Sequence, residues 1–103
     1  MKKNAKAMAQ MRHAIKRALE RYSLVLNESD YHWLTNCISQ QRKNSGYAPV
    51  EFVLRQSNRV TIQDIMLPKA RLRVVYDSLR KSIATFLPPD AMGIDYNADP
   101  IFD

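Results

Sequence analysis

The stretch Arg71-Leu72-Arg73-Val74-Val75-Tyr76-Asp77 alternates residue by residue, with Leu72, Val74 and Tyr76 in one phase and Arg71, Arg73 and Val75 in the other. Successive side chains of a strand point to opposite faces, so this pattern predicts a β-strand with one apolar face. Downstream, Ser78-Leu79-Arg80-Lys81 reads as a turn and Ser82 to Leu87 as a last strand. Pro88-Pro89 ends it, because proline has no N–H to give to a sheet. Upstream, Pro68-Lys69-Ala70 reads as a turn, Val60 to Leu67 as a strand and Gln56-Ser57-Asn58-Arg59 as another turn. Before that turn, Val50, Phe52 and Leu54 alternate with Glu51, Val53 and Arg55 in a first strand. The alternation of the Val60 strand slips near Asp64, where a bulge is expected. Connections this short favour antiparallel neighbours.

The first half has a different period. Met8, Met11, Ile15, Ala18, Leu19 and Tyr22 recur at three- and four-residue steps and predict a helix from Ala5 to about Tyr22, with Lys2, Lys3 and Asn4 fraying ahead of it. Its other face carries Lys6, His13, Arg17 and Arg21, with Arg12 and Lys16 on the flank. Leu24-Val25-Leu26 reads as a connector. Asn27 then caps a second helix running to about Gln41, with Glu28 and Asp30 suited to its N-terminal dipole. Tyr31, Leu34 and Ile38 form its apolar stripe, which Trp33 and Cys37 widen. Arg42 and Lys43 suit its C-terminal end, and Asn44-Ser45-Gly46 supplies the stop. The predicted class is α+β: two N-terminal helices followed by a three- to four-stranded antiparallel sheet.

A chain of 103 residues has room for one hydrophobic core. Its net charge of +6 conceals an asymmetry, because Asp90, Asp95, Asp99 and Asp103 lie in the last fourteen residues, which contain no Lys or Arg. Residues 1–89 carry 16 basic and 6 acidic groups, or +10. The organisation expected is a single basic domain over 1–89 and an acidic tail over 90–103. Ile94, Tyr96, Ile101 and Phe102 give the tail the means to dock, and its acids could mimic phosphate over a basic cleft; a solvated tail is the simpler reading. The basic body attracts phosphate backbones, anionic membranes or acidic proteins through a long-range field that salt weakens. Charge that merely keeps a small protein soluble is the bland alternative.

One cysteine, Cys37, excludes an internal disulfide framework and makes no metal-ligand cluster with His13 or His32, so neither a metal nor a cofactor is expected. The basic opening is interrupted by Gln10, Arg12, His13, Lys16 and Arg17, unlike the apolar region of a signal peptide, and no run of 18 apolar residues spans a membrane. A cytoplasmic location is expected. With Gly46 and Gly93 the only glycines, no Gly-rich phosphate loop can form.

The residue types that carry chemistry fall into two groups. His13, Arg17 and Arg21 stand at i, i+4 and i+8, and four-residue steps drift by about 40° on a helix, so the three form one polar ridge. A histidine beside guanidinium groups suits metal-free RNA cleavage, moving the proton of the 2′-hydroxyl or of the leaving oxygen while arginines stabilise the transition-state charge. A solvated face is the competing reading of the ridge. Lys16 and Glu20 read as a surface pair.

The second group is Arg55, Arg59, Arg71, Arg73, Arg80 and Lys81, interleaved with Tyr47 and Tyr76. Arginine grips phosphate in a bidentate manner and an exposed aromatic stacks on an unpaired base. Tyr76 shares the phase of Leu72 and Val74, which favours a core ring with an exposed hydroxyl over a stacking platform. Thr85, in phase with Ile83 and Leu87, either faces a phosphate or is buried. His32 has no acid or cysteine at ligand spacing and reads as structural or exposed. Trp33 reads as core and Cys37 as a small buried hydrophobe.

His13-Ala14-Ile15-Lys16-Arg17-Ala18-Leu19-Glu20-Arg21 resembles the "His-Ala-x-x-Arg-x-x-x-Arg" helix of toxin-like domains from phage and contact-dependent systems. Val75-Tyr76-Asp77, Arg80-Lys81 and Ile83-Ala84-Thr85-Phe86-Leu87-Pro88 are similar to the paired last strands of the same group. That group is the RelE-like and colicin-like bacterial ribonuclease toxins, which share the BECR fold. The likeness covers residues 12–22 and 59–88 and leaves the second helix unmatched. It implies helices followed by a curved antiparallel sheet that binds RNA, a catalytic set of His13, Arg17 and Arg21 with Thr85 on the sheet, and an antitoxin as partner.

The expected function is thus an RNA-directed, metal-independent ribonuclease-like domain of toxin type, with RNA or another polyanion contacted through Lys16, Arg55, Arg59, Arg71, Arg73, Tyr76, Arg80 and Lys81. The alternatives are a non-catalytic phage or mobile-element protein that binds and inhibits a host protein, and a nucleic-acid-binding regulator. Oligomeric state is open.

Overall fold

The structure, a computed structural model, describes residues 2–40 and 47–91, and side chains from residue 5 onward. Helix α1 spans Lys2–Tyr22 and α2 Glu28–Ser39, followed by strands β1 (Val50–Arg55), β2 (Val60–Met66), β3 (Arg71–Asp77) and β4 (Ser82–Phe86). The strands form one antiparallel sheet in the order β1-β2-β3-β4, so the chain has the α+β class that its periodicities predict. The expected stop at Asn44-Ser45-Gly46, the basic pair Arg42 and Lys43, and the tail from residue 92 on lie outside the described residues. No helix among the described residues is long and apolar enough to cross a membrane.

Local chemistry sets the helix ends. Asn27 accepts from the Asp30 N–H at 2.8 Å while the Asp30 carboxylate accepts from the Asn27 N–H at 3.1 Å, a reciprocal cap that satisfies two otherwise orphaned donors. At the end of α1, Ser23 takes a left-handed conformation (φ 52°) and its N–H returns to the Leu19 carbonyl at 3.0 Å. A left-handed residue is a common helix stop, here without glycine.

Both helices cover one face of the sheet. Leu72, Val74, Tyr76, Ile65, Ile83 and Phe86 meet Met11, Ala14 and Ala18 of α1 and Tyr31, Leu34, Cys37 and Ile38 of α2. The phase read for β3 is therefore the phase it adopts. The opposite face carries a smaller apolar cluster of Val60, Ile62, Val75, Ala84 and Leu87.

Helix α1 is turned about its axis relative to the face predicted for it. Ala14 and Ala18 are fully buried and Gln10 is buried beside them, whereas Met8 and Leu19 are exposed. Small side chains let the helix approach the sheet closely. Its polar arms then reach β4: the Arg21 guanidinium donates to the Phe86 carbonyl at 2.6 Å, and Ser82 donates to the Gln10 side-chain carbonyl at 2.7 Å. From α2, the Tyr31 hydroxyl donates to the Ile83 carbonyl at 2.7 Å. The bonds to Phe86 and Ile83 occupy backbone acceptors of an edge strand, which would otherwise recruit another chain.

The bulges differ from expectation as well. Strand β2 pairs with β3 without interruption from Val60 to Met66, so Asp64 lies in regular register opposite Arg73. The irregularities fall between Phe52 and Leu54 in β1, and in β4 where Ala84 has no partner. The first takes Phe52 out of the alternation predicted for it and leaves it exposed. The second breaks the expected common phase of Ile83, Thr85 and Leu87: Ile83 joins the helix-covered core, while Thr85 stands opposite Val75. Trp33, read as core, is 40% exposed and leans on Tyr47 with ring centroids 5.9 Å apart.

Candidate nucleic-acid interface

The arginines of the sheet are engaged by carboxylates of the same sheet. Asp64 is fully buried and accepts from Arg73 Nε at 2.9 Å, Arg73 Nη2 at 3.0 Å and Arg71 Nε at 2.6 Å. Arg71 also pairs with Glu51, and Arg73 donates to the Ala91 carbonyl at 2.8 Å. Burial alone would raise the Asp64 pKa, but the bonds and charge of Arg73 and Arg71 outweigh it and hold the carboxyl below its ordinary range. Asp77, also fully buried, takes a bidentate grip from Arg59, with Nε–Oδ1 at 2.9 Å and Nη2–Oδ2 at 2.7 Å. Here too burial is outweighed, by Arg59 and by the N–H groups of Arg80 and Leu79, and the pKa falls. Arg59, Arg71 and Arg73 are thereby committed to the fold, and much of their charge is neutralised on the spot.

Asp77 also shapes the next turn. Its Oδ1 accepts the N–H of Leu79 at 3.0 Å and of Arg80 at 3.2 Å, and Lys81 closes the turn with φ 54°. The Arg59 carbonyl accepts both the N–H and the hydroxyl of Ser78, binding this turn to the one between β1 and β2. Arg55, Arg59, Arg80 and Lys81 therefore gather at one end of the sheet. Arg55 folds back on the Ser57 carbonyl at 3.3 Å, while Arg80 and Lys81 project from an exposed turn.

On α1 the ridge is half-buried. His13, Arg17 and Arg21 are all partly covered, and the Nε2 of His13 and Nε of Arg17 are out of contact with solvent. Arg17 Nη1 donates to Glu20 at 2.6 Å, so Glu20 pairs with Arg17 and not with Lys16 as predicted. Lys6, Arg12 and Lys16 are exposed and make no ion pair among the described residues. Arg21 is tied to the residue that follows Thr85, which brings the ridge alongside β4. Thr85 itself is fully buried, paired with Val75 on the face of the sheet away from the helices, and its hydroxyl has no hydrogen bond among the described residues. Tyr76 is 8% exposed within the core, and burial raises its pKa.

A cleft of about 610 Å³ opens between the first half of α1, the start of α2 and the turn between β3 and β4. Ala7, Met8 and Met11 give it an apolar wall from α1, and Arg80, Lys81 and Ser82 line it from the turn. From α2 come Tyr31, Thr35 and Asn36, and His32 with Glu28, whose carboxylate lies 3.8 Å from the His32 Nε2. An acid thus does stand one turn before His32, contrary to the sequence reading. Thr35 Oγ1 is sealed from solvent and faces the Tyr31 hydroxyl, where hydrogen bonding from Ser82 and Thr35 acts to lower the Tyr31 pKa. Burial nevertheless dominates and keeps the Tyr31 pKa raised.

Sequence reasoning passed over Asp64, Asp77 and this cleft. The carboxylates had a signal, since aspartate is depleted within strands and two of them stand among strand arginines. The cleft had none, because it depends on where the two helices and a turn converge. Compared with known proteins, the chain matches no family model, no curated protein and no solved structure.

Proposed function

We propose that this chain is an RNA-directed, metal-independent, ribonuclease-like domain of toxin type, acting in the cytoplasm at the seam between α1 and β4. The reading is carried by the bond from Arg21 to the Phe86 carbonyl, at 2.6 Å, which lays the helix bearing His13 and Arg17 along β4. RNA contains its own nucleophile, the 2′-hydroxyl. Cleavage therefore needs a group that moves protons, the role given to His13, and cations that stabilise the phosphorane-like transition state, the role given to Arg17 and Arg21. Lys6, Arg12 and Lys16 on the same helix draw the backbone in. A toxin-type domain of this kind implies an antitoxin or host-protein partner.

The buried hydroxyl of Thr85 favours a second reading, binding without cleavage, as in a nucleic-acid-binding regulator or an inhibitor of a host protein. Labelled total RNA incubated in EDTA with the protein and with His13→Ala and Arg17→Ala separates the two. Cleavage that disappears in both variants supports the first reading. Intact RNA held in a salt-dependent complex by the folded protein supports the second. Neither cleavage nor retention of RNA removes RNA as the partner and directs the search to a protein.

A further inference from the structure

We infer that the cleft between α1, α2 and the turn joining β3 to β4 takes one nucleotide of single-stranded RNA, its base against Met8 and Met11 and its phosphate on Arg80 and Lys81. The polymer named here rests on the RNA reading above; the cleft opens at the Ser82 end of β4, whereas Arg21 is bonded at the Phe86 end.

The chemistry of the walls argues for an occupant with an apolar plate and an anionic end. The volume, about 610 Å³, is that of a small-molecule site. Met8 is 38% exposed and, with Met11 behind it, offers a polarizable surface to an aromatic ring. On the turn Arg80 and Lys81 are exposed and make no ion pair among the described residues, in contrast to Arg59, Arg71 and Arg73. Glu28 is the single carboxylate among the lining residues, and the two cations outnumber it.

The interior of the cleft is polar. Thr35 is 6% exposed, lines the cleft and has its hydroxyl against that of Tyr31. Asn36 beside it offers both donors and acceptors to the edge of a base, and the His32 ring is exposed for stacking.

Backbone amide chemical shifts of the full chain, titrated with AMP, with UMP and with inorganic phosphate at matched ionic strength, test the assignment. Saturable shifts at Thr35, Arg80, Lys81 and Ser82 are expected with the nucleotides, with phosphate binding roughly tenfold more weakly or less. Arg80→Ser combined with Lys81→Asn, a residue that tolerates the left-handed turn, should weaken nucleotide binding by about tenfold or more, and Asn36→Ala by several-fold. Both sets of side chains can be removed without leaving an unpaired buried charge. Nucleotide shifts that are absent, that fall elsewhere, or that phosphate reproduces at equal concentration overturn the assignment. RNA that is retained while AMP leaves the cleft unmoved preserves the RNA reading and rejects the cleft. AMP bound in the cleft of a protein that holds no RNA supports the cleft and rejects the polymer.

Discussion

The hydroxyl of Tyr22 donates to the carbonyl of Leu87 at 2.7 Å and accepts the N–H of Arg73 at 3.0 Å. The Leu87 N–H in turn donates to the Arg73 carbonyl at 2.8 Å, so a side chain from the last turn of α1 is inserted where β3 and the residue after β4 part. Burial raises the Tyr22 pKa, with the bond from Arg73 acting against it, so the phenol stays a donor at neutral pH. Helix and sheet are thus joined by a backbone-grade hydrogen-bond bridge as well as by apolar contact.

Tyr22→Phe removes that bridge and keeps the ring, which meets Phe86 edge-on at 6.4 Å. It strands one partly buried donor and one acceptor and should cost about 1–2 kcal/mol. Urea unfolding checks this: the midpoint should fall with an unchanged slope, since the surface buried in the fold is the same.

Acid should unfold the domain from its sheet. Asp64 and Asp77 have folded-state pKa values below their unfolded ones, so the stability they contribute is fully present above the unfolded carboxylate range, about pH 4, and is lost as pH falls through the folded values. The urea midpoint should be flat from neutral pH down to about pH 5 and then decline. Asp77→Asn should lower the plateau by about 1–3 kcal/mol and make the acid decline shallower. The Arg59 side chain is 39% exposed, so the released guanidinium can return to water, which keeps the loss below that of a sealed ion pair.

Those two aspartates mark where the sequence stopped being readable. The strand Arg71–Asp77 and the cap at Asn27 follow from spacing and side-chain chemistry within a few residues, and both take the form predicted. The roles of the arginines depend on register between strands. Arg73 lies opposite Asp64, and Arg59 meets Asp77 eighteen residues away, neither of which local alternation encodes. The turn of α1 toward Ala14 was hidden for a related reason. A hydrophobicity pattern ranks Leu19 above alanine, whereas close approach of helix to sheet selects the small residue. At the candidate site, the ridge of His13, Arg17 and Arg21 was legible as a helix periodicity, but its attachment to β4 was not.

The division between committed and exposed cations should be visible in the salt dependence of RNA binding. Each phosphate neutralised on a single strand contributes about 0.7 to the slope of log K against log salt. Replacing Lys6, Arg12 and Lys16 together by serine should therefore flatten the slope by about 2. Arg71→Gln, which alters a cation already paired with Asp64 and Glu51, should leave the slope almost unchanged. Equal effects from both substitutions would mean that the sheet arginines leave their carboxylates to meet RNA.

Thr85→Val separates a structural threonine from a working one. The residue is fully buried and its hydroxyl makes no hydrogen bond among the described residues, so the hydroxyl contributes a desolvation cost with no return inside the fold. Valine fills nearly the same shape and should leave the protein as stable or more stable by about 1 kcal/mol, read as a higher urea midpoint. A threonine kept for packing alone predicts that gain with RNA cleavage unchanged. A threonine that serves the chemistry proposed for the seam between α1 and β4 predicts the same gain in stability together with loss of cleavage, because a group retained against stability is retained for what it does. Loss of stability in the variant would show instead that the hydroxyl is bonded within the native fold and has a structural role.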